Sequence, residues 1–516
     1  MAALVACLLV ISGCTSGKQR AKKTPAHVTT TTPTPTPTPS LTVGRIQFAD
    51  CTEQLAAGLP RDSADRVNRL TFGCGRVEVP LDYDDPYGRT TKLYVVKVHD
   101  TSQSSYTGSL LVNPGGPGGS GVQLAVSLGL KVSLDVLDHF DVVGFDPRGV
   151  FLSDPVQCIT NAQKDRIVGA GPDVRTPAGL AQAKALYAPI GPQCSKKYGK
   201  DLADYNTEYT ARDMDLVRQG VRDEKMNYLG YSYGTRIGAT YAHLFPSVVR
   251  AMVLDGAVDP VAAELVTDER QISAFEKAFD QFAADCAKRV DCKSIGPPRK
   301  AVIALAAKAG KTPLRTSHKA DKRRASGAIV REAVIAALYD QDQWRALGKA
   351  ILSAQRGDAR GLFALTDAHN QRGEDGTYAN LMDANTAVNC NDSTTNPTDI
   401  QIQALARTWA VKYPLFGLGQ AASLLTCRSW PKSRHPIPPA TAPRSAPILV
   451  IGTVHDPATP YAAAAVLAKT LGSGVLLTWN GEGHTAYPRT SCVSKAVDGY
   501  LIAKLLPPAQ TACPLR

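Results

Sequence analysis

Gly230-Tyr231-Ser232-Tyr233-Gly234 sets a serine between small residues in G-x-S-x-G spacing. An apolar strand pattern over 226–229 precedes it, and a helix-compatible stretch over 235–245 follows. A hydroxyl displayed on a strand-to-helix turn this tight needs small flanking residues and is a nucleophile for acyl transfer. Ser232 is read in that role; the alternative is an ordinary turn between strand and helix. A second stretch, Asn113-Pro114-Gly115-Gly116-Pro117-Gly118-Gly119-Ser120-Gly121, follows another apolar strand pattern over 109–112. Serine attack puts negative charge on a carbonyl oxygen, and backbone N–H groups aimed there stabilise it; removing one donor costs roughly 3 kcal/mol. Glycines let the backbone come that close. The expected oxyanion donors are the N–H of Tyr233 and one from the Gly115-Gly116 turn. A phosphate-cradling loop is the competing idea, but no G-x-x-x-x-G-K-[ST] is present.

Acyl transfer also needs a base for the serine proton and an acid that holds the base in one tautomer. Where the serine sits on such a turn, the chain order is Ser, Asp, His. Six histidines follow Ser232: His243, His318, His369, His435, His455 and His484. His484 lies in Gly481-Glu482-Gly483-His484, a loop after the last strand pattern, where a side chain can hang over a sheet edge. His455 is the rival, beside Asp456 in the preceding loop; His243 falls in the helix behind Ser232 and reads as packed or surface. For the acid, Asp456 opens Asp456-Pro457-Ala458-Thr459-Pro460 after a strand pattern at 448–451. Asp255 and Asp259 are alternatives, and a turn-forming Asp before Pro is the structural reading of Asp456. The expected catalytic set is Ser232, Asp456 and His484. Asp146 and Arg148, in Asp146-Pro147-Arg148-Gly149, are expected to form a structural ion pair under the site. No pair of cysteines has C-x-x-C spacing, and neither a metal nor an organic cofactor is indicated.

The elements that must position these residues alternate. Residues 75–80 and 92–99 read as an opening hairpin, and 140–145, 249–254 and 475–479 add further strands. Strands separated by helical patterns imply βαβ units and a parallel sheet, whose strands are apolar on both faces. From about 258 to 443 the alternation stops, and 275–288, 301–309, 328–337 and 342–354 read as helices. The expected organisation is a core in two parts, 42–258 and 444–516, with a mainly helical lid over 259–443 inserted between two strands.

The 516 residues are enough for a large catalytic domain plus an insertion, and 44% hydrophobic with 20% charged residues is ordinary for a folded protein. The net charge of +12 includes a basic tail (Lys18, Arg20, Lys22, Lys23) and a run at Lys319, Lys322, Arg323 and Arg324. With no recognition-helix, zinc-finger or RNA-binding signature, nucleic acid is not an expected partner; a solvated basic face near an anionic envelope is. Residues 1–14 read as a signal peptide whose apolar run, too short for an ordinary transmembrane helix, leads into Ile11-Ser12-Gly13-Cys14. This is similar to a bacterial lipobox, with cleavage before Cys14 and a lipid on it, although no Lys or Arg precedes the run; a plain signal peptide is the alternative. Residues 15–41 contain a Thr/Pro repeat that favours extended polyproline and reads as a stalk. Setting aside Cys7 and Cys14 leaves ten cysteines, an even set that suggests disulfides in an exported chain. Pairing of sequence neighbours would give five bridges, one of many possible connectivities.

Taken together, NPGGPGGSG at 113–121, FDPRG at 145–149, GYSYGT at 230–235, AVNCND at 387–392, C-x-x-W-P at Cys427 to Pro431, D-P-x-T-P at Asp456 to Pro460 and GEGH at 481–484 resemble the exported tripeptidyl-aminopeptidase-like serine peptidases of the α/β-hydrolase fold, relatives of proline iminopeptidases. The resemblance runs from Thr42 to the C-terminus. It implies an α/β fold with a mostly parallel central sheet and an inserted helical lid, a C-terminal segment supplying Asp456 and His484, and aminopeptidase action on peptide or protein substrates with free amino termini. Acidic lid residues receive the substrate ammonium in such enzymes, and Asp392 is one candidate, with a loop Asp beside a disulfide as its other reading. One departure is Val150-Phe151-Leu152-Ser153, where relatives usually place a second Gly. Ester or lipid hydrolysis is the alternative chemistry, since one triad serves both; a surface binding protein on an inactive scaffold is the alternative from another class. The expected location is the outer face of a bacterial cytoplasmic membrane, through a lipid on Cys14.

Overall fold

The computed structural model describes residues 41–318 and 320–515. The leader, Cys14 and the linker up to residue 40 lie outside the described residues, as do Lys319 and Arg516.

Ten strands form one sheet among the described residues: β1 (Ala49–Asp50), β2 (Leu70–Pro80), β3 (Thr90–Asp100), β4 (Gly108–Asn113), β5 (Phe140–Phe145), β6 (Met226–Tyr231), β7 (Val249–Asp255), β8 (Ile448–His455), β9 (Gly474–Glu482) and β10 (Ala512–Cys513). Their order is β1-β2-β3-β5-β4-β6-β7-β8-β9-β10. The first three pairings are antiparallel. Every later one is parallel, so the sheet is mostly parallel. β4, β5 and β6 are buried along their whole length, as expected of strands covered by helices on both faces. Alternate residues feed two apolar layers. Leu111, Val143, Tyr228, Met252 and Val450 meet Met214, Val217 and Ile237 on one side. Leu110, Val142, Leu229, Val253 and Leu449 meet Val122, Val136 and Val497 on the other.

A third apolar cluster belongs to the lid: Phe279, Phe282, Val334, Trp344, Leu347 and Trp409 are buried there. Val174, Leu180 and Ala183, from the stretch between β5 and β6, pack into the same cluster. The helices Asn161–Gly169 and Pro177–Tyr187 therefore face the lid, although they precede Ser232 in the chain. Five disulfides pair sequence neighbours: Cys51–Cys74, Cys158–Cys194, Cys286–Cys292, Cys390–Cys427 and Cys492–Cys513. No helix of the described residues is long and apolar enough to cross a membrane.

The expected Asp146–Arg148 pair does not form. Arg148 instead pairs with Asp213, at 2.6 and 2.8 Å, and also donates to the carbonyls of Pro80, Leu81 and Asp204. The rings of Tyr83 and Tyr209 lie against its guanidinium at 5.3 and 5.1 Å. Asp146 accepts from Ser120 Oγ and from the N–H groups of Val122 and Leu152. The two neighbours in sequence thus serve different loops, because a guanidinium with five donors needs the acceptors that converge around Asp213. Phe151, at the departure noted after Gly149, has φ of 46°, a conformation that glycine adopts more readily.

Breaking a fully buried pair leaves a charge without a partner, which costs about 3–5 kcal/mol. Asp213→Ala is expected to lower unfolding free energy by about that amount, read from urea titrations. Asp173→Ala, which breaks the exposed pair with Arg175, is expected to cost no more than about 1 kcal/mol.

Candidate active site

Ser232 stands between β6 and the helix Tyr233–Leu244 with φ of 55°, left-handed backbone that a serine adopts only under constraint. Its N–H donates to the carbonyl of Asp255 at 2.9 Å. Space around it is tight. A Cβ on Gly115, itself at φ of 88°, would lie 2.5 Å from the Tyr231 carbonyl, 2.8 Å from Tyr233 N and 2.9 Å from Ser232 Cβ. Only a residue without a side chain lets the Gly-rich loop approach this turn.

The two glycines of that loop differ. The Gly115 N–H donates to Asn113 Oδ1 at 2.8 Å, so it is already used. No hydrogen bond among the described residues uses the Gly116 N–H. Gly116 is therefore the available donor of the turn, and Gly115 supplies close approach instead. Tyr233 is the first residue of its helix, where backbone N–H groups have no intrahelical acceptor. Its phenol shares a hydrogen bond with Thr207 Oγ1, which in turn donates to Asp392.

The acid and base candidates come from the ends of β8 and β9. Nδ1 of His484 lies 2.9 and 3.0 Å from the carboxylate oxygens of Asp456. Asp456 is buried and also accepts from the N–H groups of Ala458 and Thr459 and from Thr459 Oγ1. Thr459 Oγ1 is 3.3 Å from His484 Nδ1, so it touches both members of the pair. The far nitrogen, Nε2, is buried and has no hydrogen-bond partner among the described residues. The imidazole is placed by the lid as well: the His484 N–H donates to the Tyr339 carbonyl at 2.8 Å, and the two rings meet edge to face at 5.4 Å. Its Cε1 lies 3.1 Å from the Cβ position at Gly256, next to the residue that holds the Ser232 N–H.

The alternatives are engaged elsewhere. His455 is partly exposed, with Nδ1 2.7 Å from Glu482. Asp255 accepts from the N–H groups of Ala486 and Tyr487; burial pushes its carboxyl up to about 6, against the pull of those hydrogen bonds. Asp259 pairs with Arg270 and accepts from the N–H groups of Val261 and Ala262. His243 bonds the Thr441 carbonyl.

A cavity of about 480 Å³ lies between the helices of the 259–443 stretch and the segment 159–190. Its walls are mostly apolar, with Ile159, Phe275, Ile335 and Phe416 among them, and Tyr339 joins it to the His484 loop. Asn385, another wall residue, bonds the Gly-rich loop at Pro117. Asp392 is not in this wall. It is buried, its oxygens accept from the Thr207 N–H and hydroxyl, and burial pushes its carboxyl up to about 6. It braces the network beneath Tyr233. The carboxylate in the wall is Glu332, on the helix Gly327–Leu338; it accepts from Asn370 Nδ2 at 3.2 Å and lies 3.9 Å from His369 Nε2. Glu332 stands in an ordinary helical pattern, and nothing in its sequence surroundings marks it. Thr459 was within reach of sequence reasoning, since it belongs to the D-P-x-T-P motif. Among the described residues no group of His, Cys, Asp and Glu could hold a metal ion.

Residues 108–302 match the family described as alpha/beta hydrolase fold, and residues 413–513 match the family described as TAP-like protein. The chain is 39% identical over 462 residues to Serine protease Hip1 of Mycobacterium tuberculosis, covering 85% of this chain and 87% of that protein. It is 38% identical over 469 residues to Carboxylesterase B of Mycobacterium tuberculosis, covering 87% and 88% respectively. It is 30% identical over 455 residues to Tripeptidyl aminopeptidase of Streptomyces lividans, covering 83% and 81%. With these relatives matched along most of their length, the chain belongs to the tripeptidyl-aminopeptidase-like serine peptidases of the α/β-hydrolase fold.

Proposed function

We propose that the protein is an exported, lipid-anchored aminopeptidase that releases short peptides from free amino termini through an acyl-enzyme at Ser232. Ser232 Oγ attacks the scissile carbonyl carbon while its proton passes to His484 Nε2. Asp456, accepting from Nδ1–H, stabilises the imidazolium. The oxyanion meets the N–H groups of Tyr233 and Gly116. The C–N bond then breaks, His484 returns the proton to the leaving amine, and the amino-terminal fragment remains as an ester on Ser232. Water repeats the sequence and frees it.

The observation that carries this reading is the cavity that Tyr339 joins to the His484 loop: mostly apolar walls with one half-buried carboxylate, Glu332, to receive an ammonium, and Arg331 as the neighbouring cation of the lining. The released fragment occupies this cavity while the rest of the chain leaves. Apolar walls also favour a second reading, hydrolysis of carboxylic esters, and one of the matched relatives is named a carboxylesterase. Five disulfides support export. The lipobox-like Cys14 and the Thr/Pro-rich composition of residues 15–41 support anchoring. A domain division at 258 and 443 accompanies this reading.

Profiling a peptide library tests it directly. Wild-type protein is expected to react with a fluorophosphonate probe and to release amino-terminal fragments from free but not acetylated peptides; Ser232→Ala is expected to do neither. Glu332→Gln is expected to raise KM for free-amine peptides about tenfold, the scale of one charge-assisted hydrogen bond. Equal turnover of acetylated and free peptides, or turnover of esters alone, rejects the aminopeptidase reading.

Gly115→Ala is expected to lower kcat by about a hundredfold or more, the loss typical of a displaced oxyanion donor, with a smaller change in KM; unchanged kcat would mean that the loop takes no part. In bacteria fed radiolabelled palmitate, the wild-type chain is expected to carry label and fractionate with membranes. Cys14→Ala is expected to be unlabelled, and labelling of that variant rejects the anchor.

A further inference from the structure

The helix Leu381–Asp392 separates the lid cavity from the Gly-rich loop. Met382, Asn385 and Thr386 line the cavity. Toward the loop, Asn385 Nδ2 donates to the Pro117 carbonyl at 3.0 Å. Gly118, at φ of 96°, packs so closely on the same helix that a Cβ there would lie 3.0 Å from Ala384 Cβ and from the Leu381 carbonyl, and 3.1 Å from Asn385 N. Asn389 Nδ2 donates to Asn385 Oδ1 at 3.0 Å, which settles the end of the amide that faces Pro117.

The helix is itself anchored. Asn380, just before its first turn, donates to the carbonyls of Gly149 and Val156 and accepts from the Phe151 N–H. Asp383 accepts from the N–H groups of Cys158 and Ile159 and pairs with the buried Lys164. These bonds fasten the helix to the segment after β5, so Asn385 is a fixed point against which the loop rests. From Pro117 the loop runs back through Gly116, the available oxyanion donor, to Gly115 in contact with Ser232 and Tyr233.

We propose that Asn385 is a positioning residue for the oxyanion hole: its amide, standing in the cavity wall, holds Pro117 and so sets the Gly116 N–H against the Ser232 turn. Asn385 touches the loop and not the reacting atoms, and its effect belongs to the transition state. The proposal rests on the reading of Ser232 as nucleophile.

The test uses a free-amine alanyl tripeptide p-nitroanilide as substrate, the matching tripeptide boronate as a tetrahedral mimic, and the free tripeptide as product. For Asn385→Ala, kcat is expected to fall about tenfold, the scale of one lost hydrogen bond at a site that must hold its geometry, with KM within about twofold. Boronate inhibition weakens by the same factor, and tripeptide inhibition does not change. Equal loss in kcat and kcat/KM is the mark of an interaction realised in the transition state alone. A raised KM with unchanged kcat would make Asn385 a substrate contact and overturn the proposal, as would kinetics identical to wild type. Circular dichroism checks folding. Should Asn385→Ala fail to fold, Asn389→Ala carries the test, with a drop of about threefold in the same readouts and no drop counting against the proposal. If wild-type protein itself resists both boronate and fluorophosphonate, the nucleophile reading fails and this proposal falls with it. Inhibition of wild type with an unaltered Asn385→Ala overturns this proposal alone.

Discussion

Asp255 closes β7 with two polar groups that hold different loops. Its carbonyl takes the N–H of Ser232, and its carboxylate takes the N–H groups of Ala486 and Tyr487, two residues beyond His484. The next N–H, of Gly256, bonds the Ile451 carbonyl of β8, the strand that leads to Asp456. Tyr231, before the serine, adds a bond from its hydroxyl to the Tyr487 carbonyl. Three segments far apart in sequence are thus set from two adjacent residues, Asp255 and Gly256. An isolated carboxylate in the interior is costly, and this one is fully buried. Its N–H donors offset that cost only while the histidine loop stays in place. A displaced loop would leave a buried charge short of partners, so the geometry holds or fails as a unit.

Around this joint the backbone is strained where the chemistry is proposed. Ser232 at φ of 55° and Thr485, next to His484, at φ of 68° are each in a region that costs a non-glycine residue about 1–3 kcal/mol. Such strain persists only where surrounding contacts over-determine it. The Ser232 turn has the Asp255 carbonyl behind it, Gly115 against it and the Thr207–Asp392 network under Tyr233. Donors fixed in advance need no rearrangement as charge develops, the source of their effect on a barrier. Asp392 belongs to this preparation. A buried carboxylate beneath the helix start accepts from Thr207 through both of its oxygens and so orders Thr207 and Tyr233.

The sheet was legible because parallel strands covered on both faces read as unbroken apolar runs. Residues 140–145, 226–229 and 249–254 announce β5, β6 and β7 to within two residues at each end. The tight turn at Ser232 and the contact of His484 with Asp456 were legible through glycine-flanked or proline-flanked motifs, since tight turns restrict which residues can occupy them. Two kinds of feature stayed hidden. The partner of Arg148 lies 65 residues away at Asp213, and nothing local distinguishes it from the nearer Asp146. The cavity wall combines helices from before and after Ser232, so a division drawn by chain order placed Ile159 and Tyr187 with the core although they face the lid. The short edge strands β1 and β10 carry two residues each, too few for a periodic signal.

The same limit explains why Glu332 escaped notice and why its position matters. On a helix whose other inward residues are Ile329, Val330, Ala333 and Val334, a glutamate reads as the solvent face. In three dimensions it stands in a mostly apolar wall beside Arg331, with Asn370 as a hydrogen-bond donor and His369 nearby. A carboxylate so placed discriminates asymmetrically. An ammonium gives it a charge-assisted partner, whereas a blocked terminus displaces water and leaves the charge unpaired. Sites built to satisfy a polar group reject ligands lacking the complement far more strongly than apolar sites reject a misplaced methyl. In the proposed reading, preference for free termini follows from what the wall lacks when the wrong substrate enters. It needs no contribution from the proposed triad of Ser232, Asp456 and His484, whose chemistry would be indifferent to the far end of the peptide.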